Sequence, residues 1–170
     1  MAASILERLD AHDRALYARW TIERSAVARR LWVACTHLGG LRSVTVLSVI
    51  PLIAGGPLRM VAVHGVMCIA VSHAIVQLLK RNVLRARPAD RDQSLVAVPD
   101  EFSFPSGHAT AAMAIAFVYA VAFPSWALPL MVVAAGVGYS RVCLGVHYPG
   151  DVLAGQVIAI VTDAVVLSLT

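Results

Sequence analysis

Charged residues are scarce in this chain of 170 residues. Asp, Glu, Lys and Arg together make up 14% of the sequence, against roughly 25% in a typical soluble domain. Hydrophobic residues make up 59%, and the mean hydropathy is +0.75. This balance argues against an ordinary soluble domain and predicts a small integral membrane protein with a single domain over residues 1–170.

Paired cysteines and clustered carboxylates are also lacking. Cys35, Cys68 and Cys143 have no paired spacing and lie in apolar stretches, so we interpret them as small buried side chains, not as a disulfide set or a metal site. No carboxylate cluster suggests ligands for Mg²⁺ or Zn²⁺, and we therefore expect metal-free chemistry without a cofactor. Residues 1–30 contain six arginines and four acids and no apolar core segment, so no cleavable signal peptide is expected.

Long apolar runs are what the chain does have. A transmembrane helix needs about 20 apolar residues, with somewhat fewer in a packed helix. Five segments qualify: roughly 38–55, 60–79, 109–123, 126–143 and 152–169. Short turns rich in Gly and Pro separate several of them. The sequence predicts an all-α membrane bundle of about five transmembrane helices.

The first 30 residues are too polar to span a bilayer. An apolar stripe could nevertheless run along one helix face, formed by Ile5, Leu9, Leu16, Trp20 and Val27. Arginines surround this stripe, which favours an amphipathic helix at the membrane surface. The alternative interpretation is a solvated tail.

One connection between the apolar segments is long and polar, residues 80–107. Two predicted spans separate it from the polar region 140–151, so both regions lie at the same face of the membrane and can meet. This span count also places the N-terminus at that face. Nearly all basic residues lie at that face, even when Lys80, Arg87 and Arg141 are left out of the count. The opposite face has Arg59 alone. The positive-inside rule then favours a cytoplasmic face.

Three polar clusters occur in these regions. The first contains Lys80, Arg87 and Pro88; the second is Pro-Ser-Gly-His at 105–108; the third contains Ser140, Arg141, His147 and Asp151. Arginine recognises phosphate oxygens in bidentate fashion, and the N-terminus of a helix binds anions. Together the clusters predict a phosphate site at a membrane surface.

The two histidines suit acid–base and nucleophilic chemistry. His147 and Asp151 are four residues apart, one turn if the segment is helical. A carboxylate on one ring nitrogen would fix the tautomer and leave the other nitrogen free to attack. His108, at a helix start beside Ser106, could protonate a leaving oxygen. Taken singly, each cluster also has a structural interpretation: an interior hydrogen bond, a turn, or cationic anchors at a helix end.

The pattern K-x6-R-P, P-S-G-H and S-R-x5-H-x3-D resembles the tripartite signature of the type 2 phosphatidic acid phosphatase superfamily, the PAP2 lipid phosphatases. The motifs span residues 80–151 in order, without a departure at any signature position. The resemblance implies a membrane-embedded, metal-independent lipid phosphatase of the cell envelope that forms a phosphohistidine. Its expected partners are a lipid phosphate and the bilayer, with no nucleic acid. Many bacterial relatives have six spans, and residues 1–30 do not supply the additional one.

The resemblance also implies roles for individual residues. His147 would be the nucleophile, Asp151 would orient it, and His108 would act as acid and then as base. The expected substrate-binding residues are Lys80, Arg87, Ser106, Gly107, Ser140 and Arg141, with Ser140 positioning its neighbours.

Several substrates remain open at this point. The resemblance admits phosphatidate, phosphatidylglycerol phosphate, polyprenyl phosphate or diphosphate, and a polyprenyl-linked sugar phosphate such as decaprenylphosphoryl phosphoribose. Two other classes compete: the vanadium haloperoxidases, which share the signature but are soluble and much larger, and a non-catalytic lipid-binding or transport protein. On the span 60–79, His73, Gln77 and Lys80 share one helix face, which predicts a polar stripe leading inward from the site. For His73 and Gln77 a structural hydrogen bond is the favoured interpretation.

Overall fold

The computed structural model describes residues 5–20, 25–88, 96 and 100–170, with side chains from residue 10 onward. Within these ranges the protein is all-helical, which confirms the predicted fold class. The helices, in chain order, are α1 Ile5–Trp20, α2 Ala26–His37, α3 Leu41–Ala54, α4 Leu58–Val83, α5 Gly107–Ala122, α6 Ala127–Cys143 and α7 Pro149–Leu169. A 3₁₀ turn, Pro124–Trp126, precedes α6.

The five predicted apolar spans correspond to helices α3 to α7. Helix α4 runs further than predicted, to Val83, so that Lys80 lies in its last turn. Among the described residues, four helical stretches are long and apolar enough to cross a membrane: Ala26–Ala54, which combines α2 and α3, Leu58–Val83, Pro124–Cys143 and Pro149–Leu169. Helix α5 is apolar but shorter, with 16 residues, or about 24 Å at 1.5 Å per residue. The protein is therefore a multi-pass membrane protein.

The N-terminal region differs from the single surface helix that we predicted. Helix α1 ends at Trp20, and a second helix, α2, starts at Ala26 and continues to His37. The Ser25 hydroxyl accepts a hydrogen bond of 3.3 Å from the Ala28 amide, which is the usual N-cap arrangement. Ser25 lies in a polar run without apolar periodicity, so this helix start was missed. The side chains of Ile5 and Leu9, in the predicted stripe, lie outside the described residues.

Helix α5 is the centre of the bundle. It contacts α3, α4, α6 and α7, and most of its side chains from Ala109 to Ala120 are buried. Many of them are alanines, which let neighbouring helices approach closely, as small residues do in membrane proteins. The surrounding helices instead turn large apolar side chains outward, such as Leu128 and Leu153. An apolar exterior around a core of small residues is what a bilayer requires.

Gly155 permits a close approach of α7 to α5. A Cβ atom at this position would lie 2.7 Å from the backbone oxygen of Ser106 and 2.7 Å from the hydroxyl of Thr110. Real Cβ atoms do not tolerate such contacts with backbone atoms. Gly155 therefore sets the distance between α7 and the first turn of α5, which carries the Pro-Ser-Gly-His motif.

Candidate active site

Four helix ends meet at one end of the bundle: the ends of α4 and α6 and the starts of α5 and α7. The Arg87 guanidinium, just after α4, donates a hydrogen bond of 2.8 Å to the carbonyl of Val146, just before α7. The Ser106 amide donates one of 3.0 Å to the carbonyl of Asp151. The three polar clusters of the sequence therefore meet in space, as predicted from the span count.

A cavity of about 610 Å³ opens at this end of the bundle. Six of the nine predicted site residues line it: Lys80, Arg87, Gly107, His108, Arg141 and His147. The remaining three, Ser106, Ser140 and Asp151, are fully buried. The cavity continues along α3 and α4, where its lining changes from cationic to apolar.

Lys80 and Arg87 share one carboxylate, that of Asp100. Oδ1 of Asp100 lies 3.0 Å from Lys80 Nζ and 2.7 Å from Arg87 Nη2. Burial raises the pKa of Asp100, but the hydrogen bonds and charges of Lys80 and Arg87 outweigh burial and bring its pKa below the usual value. Asp100 is thus an anion, and it forms ion pairs with the two cations that we expect to bind phosphate. Sequence reasoning missed it because the acids near 100 carry no recognisable pattern.

A short extended pairing holds this cationic segment in place. Ala86 forms an isolated antiparallel bridge with Phe102, and the Ser103 amide donates a hydrogen bond of 2.8 Å to the Arg85 carbonyl. Lys80 also donates one of 2.8 Å to the Phe102 carbonyl. The chain after α4 is therefore fixed against residues 102–103, directly before the Pro-Ser-Gly-His motif.

Arg141 reaches the cavity from the last turn of α6. Its Nη1 donates a hydrogen bond of 2.8 Å to the Thr36 hydroxyl at the end of α2, a contact that sequence reasoning missed. Its Nε is buried and has no hydrogen-bond partner among the described residues. Buried donors are nearly always paired in folded proteins, so Arg141 keeps a donor for an anion in the cavity.

Ser106 and Gly107 form the start of α5. Ser106 is the N-cap, but its hydroxyl does not cap the helix and, within the described residues, has no hydrogen-bond partner although it is buried. The first N–H groups of a helix lack partners within the helix and favour an anion. The motif thus places the helix N-terminus, with Gly107 and His108, at the cation-lined cavity, whereas the Ser106 hydroxyl is buried behind the lining.

His147 lies with one ring nitrogen toward the cations and the other toward Asp151. Its Nε2 is 3.2 Å from Arg87 Nη1, and its Nδ1 is 3.5 Å from Asp151 Oδ2. The second distance is longer than a well-formed hydrogen bond. A proton on Nδ1, facing the carboxylate, leaves the Nε2 lone pair directed at the cavity. This is the tautomer that a nucleophile needs.

His147 and Asp151 do not lie on one helical turn, because the helix starts only after His147. His147 precedes α7, whose N-cap is Tyr148, and Asp151 is the third residue of the helix. Oδ2 of Asp151 accepts a hydrogen bond of 2.9 Å from the Tyr148 amide. The two side chains approach each other because Asp151 caps its own helix, and the carboxylate is thereby fixed next to the preceding histidine.

Burial strongly affects the charge of His147. The residue is 2% exposed, and desolvation is the largest influence on its pKa, followed by the opposing interaction with the Asp151 carboxylate. Repulsion from Arg141 and Arg87 adds to desolvation and brings the pKa to about 4. The imidazole is therefore neutral near pH 7, with a lone pair available for attack.

Arg85 is a further site residue, which the sequence suggested only as an anchor at the helix end. Its Nη1 lies 2.7 Å from Asp151 Oδ1 and 2.8 Å from Asp13 Oδ2, and its Nη2 lies 2.7 Å from Asp10 Oδ1. Burial alone would lower the pKa of Arg85, but these carboxylates raise it above its usual value. Its guanidinium also stacks on the Tyr148 ring, 4.2 Å from the centroid. Arg85 thus connects helix α1 to the buried carboxylate of Asp151.

The remaining predicted polar residues have clear positions. The Ser140 hydroxyl donates a hydrogen bond of 2.6 Å to the Val137 carbonyl of its own helix, so its side chain stabilises α6 locally. His73 and Gln77 line the cavity, and their Nε2 atoms lie 3.2 Å apart. The polar stripe predicted on α4 is therefore present.

A comparison with protein-family models matches residues 62–170 to the PAP2 superfamily. The match covers more than half of the chain and includes all three motifs. The chain belongs to the PAP2 superfamily.

Two curated relatives are phosphatases named for phosphorylated lipids. The chain is 42% identical over 104 residues to decaprenylphosphoryl-5-phosphoribose phosphatase of Mycobacterium tuberculosis, which covers 58% of this chain and 55% of that protein. It is 35% identical over 94 residues to lipid A 1-phosphatase of Rhizobium etli, covering 51% and 40%. The chain thus spans about half the length, or less, of these curated relatives.

Solved structures of the same architecture cover nearly the whole chain. The phosphatidylglycerolphosphate phosphatase of Bacillus subtilis superposes with a TM-score of 0.77 at 24% identity, over 95% of this chain and 86% of that one. LpxE of Aquifex aeolicus gives 0.78 at 23% identity, over 91% and 93%. At this level of identity the likeness establishes the fold.

Proposed function

We propose that this protein is a membrane phosphatase that removes a terminal phosphate from a lipid through a phosphohistidine intermediate. One observation carries the proposal: the neutral His147 directs Nε2 at Arg87, within a cavity also lined by Lys80 and Arg141. A nucleophile aimed into a cluster of fixed cations suits attack on a phosphoryl group, because the cations stabilise the charge that develops in the transition state.

In the first step, Nε2 of His147 forms a bond to phosphorus while the bond from phosphorus to the lipid oxygen breaks. His108, held as the imidazolium beside the bound phosphate dianion, donates a proton to that oxygen and becomes neutral, and the dephosphorylated lipid leaves. Asp151 stabilises the charge that His147 acquires, since it lies beside Nδ1. Lys80, Arg87, Arg141 and the start of α5 hold the three equatorial oxygens.

In the second step, water attacks phosphorus and the bond to Nε2 breaks. His108, now neutral, takes a proton from that water. Phosphate departs, and His147 returns to its neutral form. Every proton and electron pair is accounted for by the two histidines, water and substrate, so the proposal includes no metal.

A phosphate-release assay on detergent-solubilised protein tests this function. We expect release from lipid phosphates that persists in EDTA, is inhibited by vanadate and is lost in His147→Ala. Brief incubation with ³²P-labelled substrate should label the wild type at His147. The matched control is His64→Ala, which removes a histidine of α4 outside the cavity and should keep activity. Lipid-phosphate binding without phosphate release would favour the alternative, a non-catalytic binding or transport protein.

We also propose that the site faces the cytoplasm, at the membrane–water interface. Support comes from the basic residues, which concentrate at the active-site end of the bundle, and from the contact of α1 with that end through Arg85. Cysteines introduced at Ala18 and Thr170, on a background without native cysteines, can be treated with an impermeant maleimide in whole cells. Labelling at 170 alone is expected, and labelling at 18 alone would overturn this orientation.

A further inference from the structure

Below the phosphate-binding cations, the cavity has a second polar zone on α4. Gln77 and His73 lie three and seven residues before Lys80 on the same helix face, which corresponds to about 4.5 and 10.5 Å along the helix axis. Both side chains line the cavity. Ile69 and Val44 continue the lining beyond them, so the order along the cavity is cationic, polar and apolar.

The two polar side chains hydrogen-bond to each other. The Nε2 atoms of His73 and Gln77 lie 3.2 Å apart, and within the described residues neither has another hydrogen bond. With a neutral imidazole, the amide of Gln77 donates to His73, which leaves the Gln77 oxygen as an acceptor and His73 Nδ1–H as a donor. If the amide is turned over, the pair still presents one acceptor and at least one donor.

A group that both donates and accepts is what such a pair binds best, and a hydroxyl group has this character. A hydrocarbon chain against the pair would instead leave polar groups desolvated and unpaired, which is costly within a membrane. The position of the pair therefore disfavours substrates in which hydrocarbon follows directly after the phosphate, such as polyprenyl phosphates.

We propose that His73 and Gln77 form a subsite for hydroxyl groups, and that the substrate carries a sugar or similar polyol between its terminal phosphate and its hydrocarbon chain. This inference rests on the proposed phosphatase function and specifies its substrate class. The polyol lies beside the pair, about one helical turn below the scissile phosphate, and the chain extends past Ile69 and Val44.

Three synthetic substrates with one polyprenyl chain test the subsite: a polyprenylphosphoryl ribose 5-phosphate, its 2,3-dideoxyribose analogue and the polyprenyl diphosphate. We expect the wild type to prefer the ribose compound over the dideoxy analogue by at least about tenfold in kcat/KM, because unpaired site groups penalise the missing hydroxyls. The His73→Leu/Gln77→Leu double variant should lose this preference, so that its kcat/KM values for the ribose compound and the dideoxy analogue agree within about threefold.

The matched control is Leu78→Ala, an exposed position on the outer face of α4, which should keep the preference. Equal activity of the wild type on the ribose and dideoxy compounds would overturn the subsite while leaving the phosphatase function in place. An equal loss of activity on all three substrates in the double variant would also overturn the subsite. His73 and Gln77 would then support the folded structure of the cavity and would not recognise hydroxyl groups. Absence of phosphate release from every substrate by the wild type would overturn the phosphatase function, and the subsite with it.

Discussion

The Arg85 guanidinium lies 2.7 Å from Oδ1 of Asp151, the carboxylate whose other oxygen faces His147. Asp151 is fully buried, and Arg85 is its ion-pair partner on the side away from the histidine. Arg85 in turn contacts Asp10 and Asp13 of α1. The first helix of the chain is therefore linked through Arg85 to the carboxylate beside His147.

We expect Arg85→Gln to lower kcat on the order of tenfold or more with little change in vanadate affinity. Without the guanidinium, Asp151 can rotate away from His147, and a misplacement of about 1 Å can cost about 100-fold in rate. Steady-state kinetics and vanadate inhibition measure the two effects separately. Arg81→Gln, at an exposed position of the same helix end, is the control that should behave as wild type. An equal loss of vanadate affinity would show that Arg85 acts on the phosphate site itself.

His147 should titrate far below the usual histidine range. Its pKa of about 4 results mainly from burial, so the free enzyme should keep a neutral His147 from pH 7 down to about pH 5. The imidazole then takes up a proton as the pH falls through about 4, and the nucleophile is lost. NMR of protein with ¹³C-labelled histidine, with the signal assigned through His147→Gln, measures this directly. A titration midpoint near 6.5 for His147 would contradict this prediction, because it would mean that water solvates the imidazole ring.

Gly155→Ala should impair both stability and activity. The added methyl group would collide with the Ser106 backbone at 2.7 Å, and α7 must move away from the start of α5. Overpacking of this kind costs about 1–3 kcal/mol, which a lower thermal midpoint in detergent would reveal. Phosphate release should also fall because the first turn of α5 moves.

Gly65→Ala on α4 is the matched control for Gly155→Ala. A Cβ there meets only Ile115, at 3.6 Å, which is an ordinary contact, and alanine favours the helix by up to about 1 kcal/mol. This variant should be as stable as the wild type or more stable. Similar thermal midpoints for both alanine variants would contradict the close approach of α7 to α5.

The spans and the signature residues could be predicted from the sequence because each leaves a local signal. Apolar runs locate α3 to α7, and the motifs at 80–88, 105–108 and 140–151 locate most of the cavity lining. Alternation of spans then suffices to bring the motifs together. Helix α2 was missed because its start depends on one capping serine in a polar run.

Contacts between segments that are distant in the chain leave no local signal in the sequence. Arg85 pairs with residues 66 and 75 positions away in the chain, and Arg141 pairs with Thr36, 105 positions away. Their significance follows only from the arrangement of the helices. The contact between His147 and Asp151 was expected for a different reason, since a four-residue spacing suggests one helical turn. A capped helix start produces the same proximity.

Asp100 forms ion pairs with both Lys80 and Arg87, the cations proposed to bind phosphate, and it should therefore compete with anions. In Asp100→Asn we expect vanadate to bind about fivefold more tightly, because the carboxylate no longer has to be displaced from Lys80 and Arg87. A fivefold change in the inhibition constant corresponds to about 1 kcal/mol, which is the upper range for a partly exposed ion pair.

Vanadate inhibition constants at fixed ionic strength measure the effect. The control is Glu101→Gln, which removes the same charge at the next, exposed position and should change the constant by less than about twofold. Weaker vanadate binding in Asp100→Asn would show instead that Asp100 holds Lys80 and Arg87 in position for the anion. The two roles predict opposite signs, because a competitor lowers affinity for vanadate whereas a positioning group raises it.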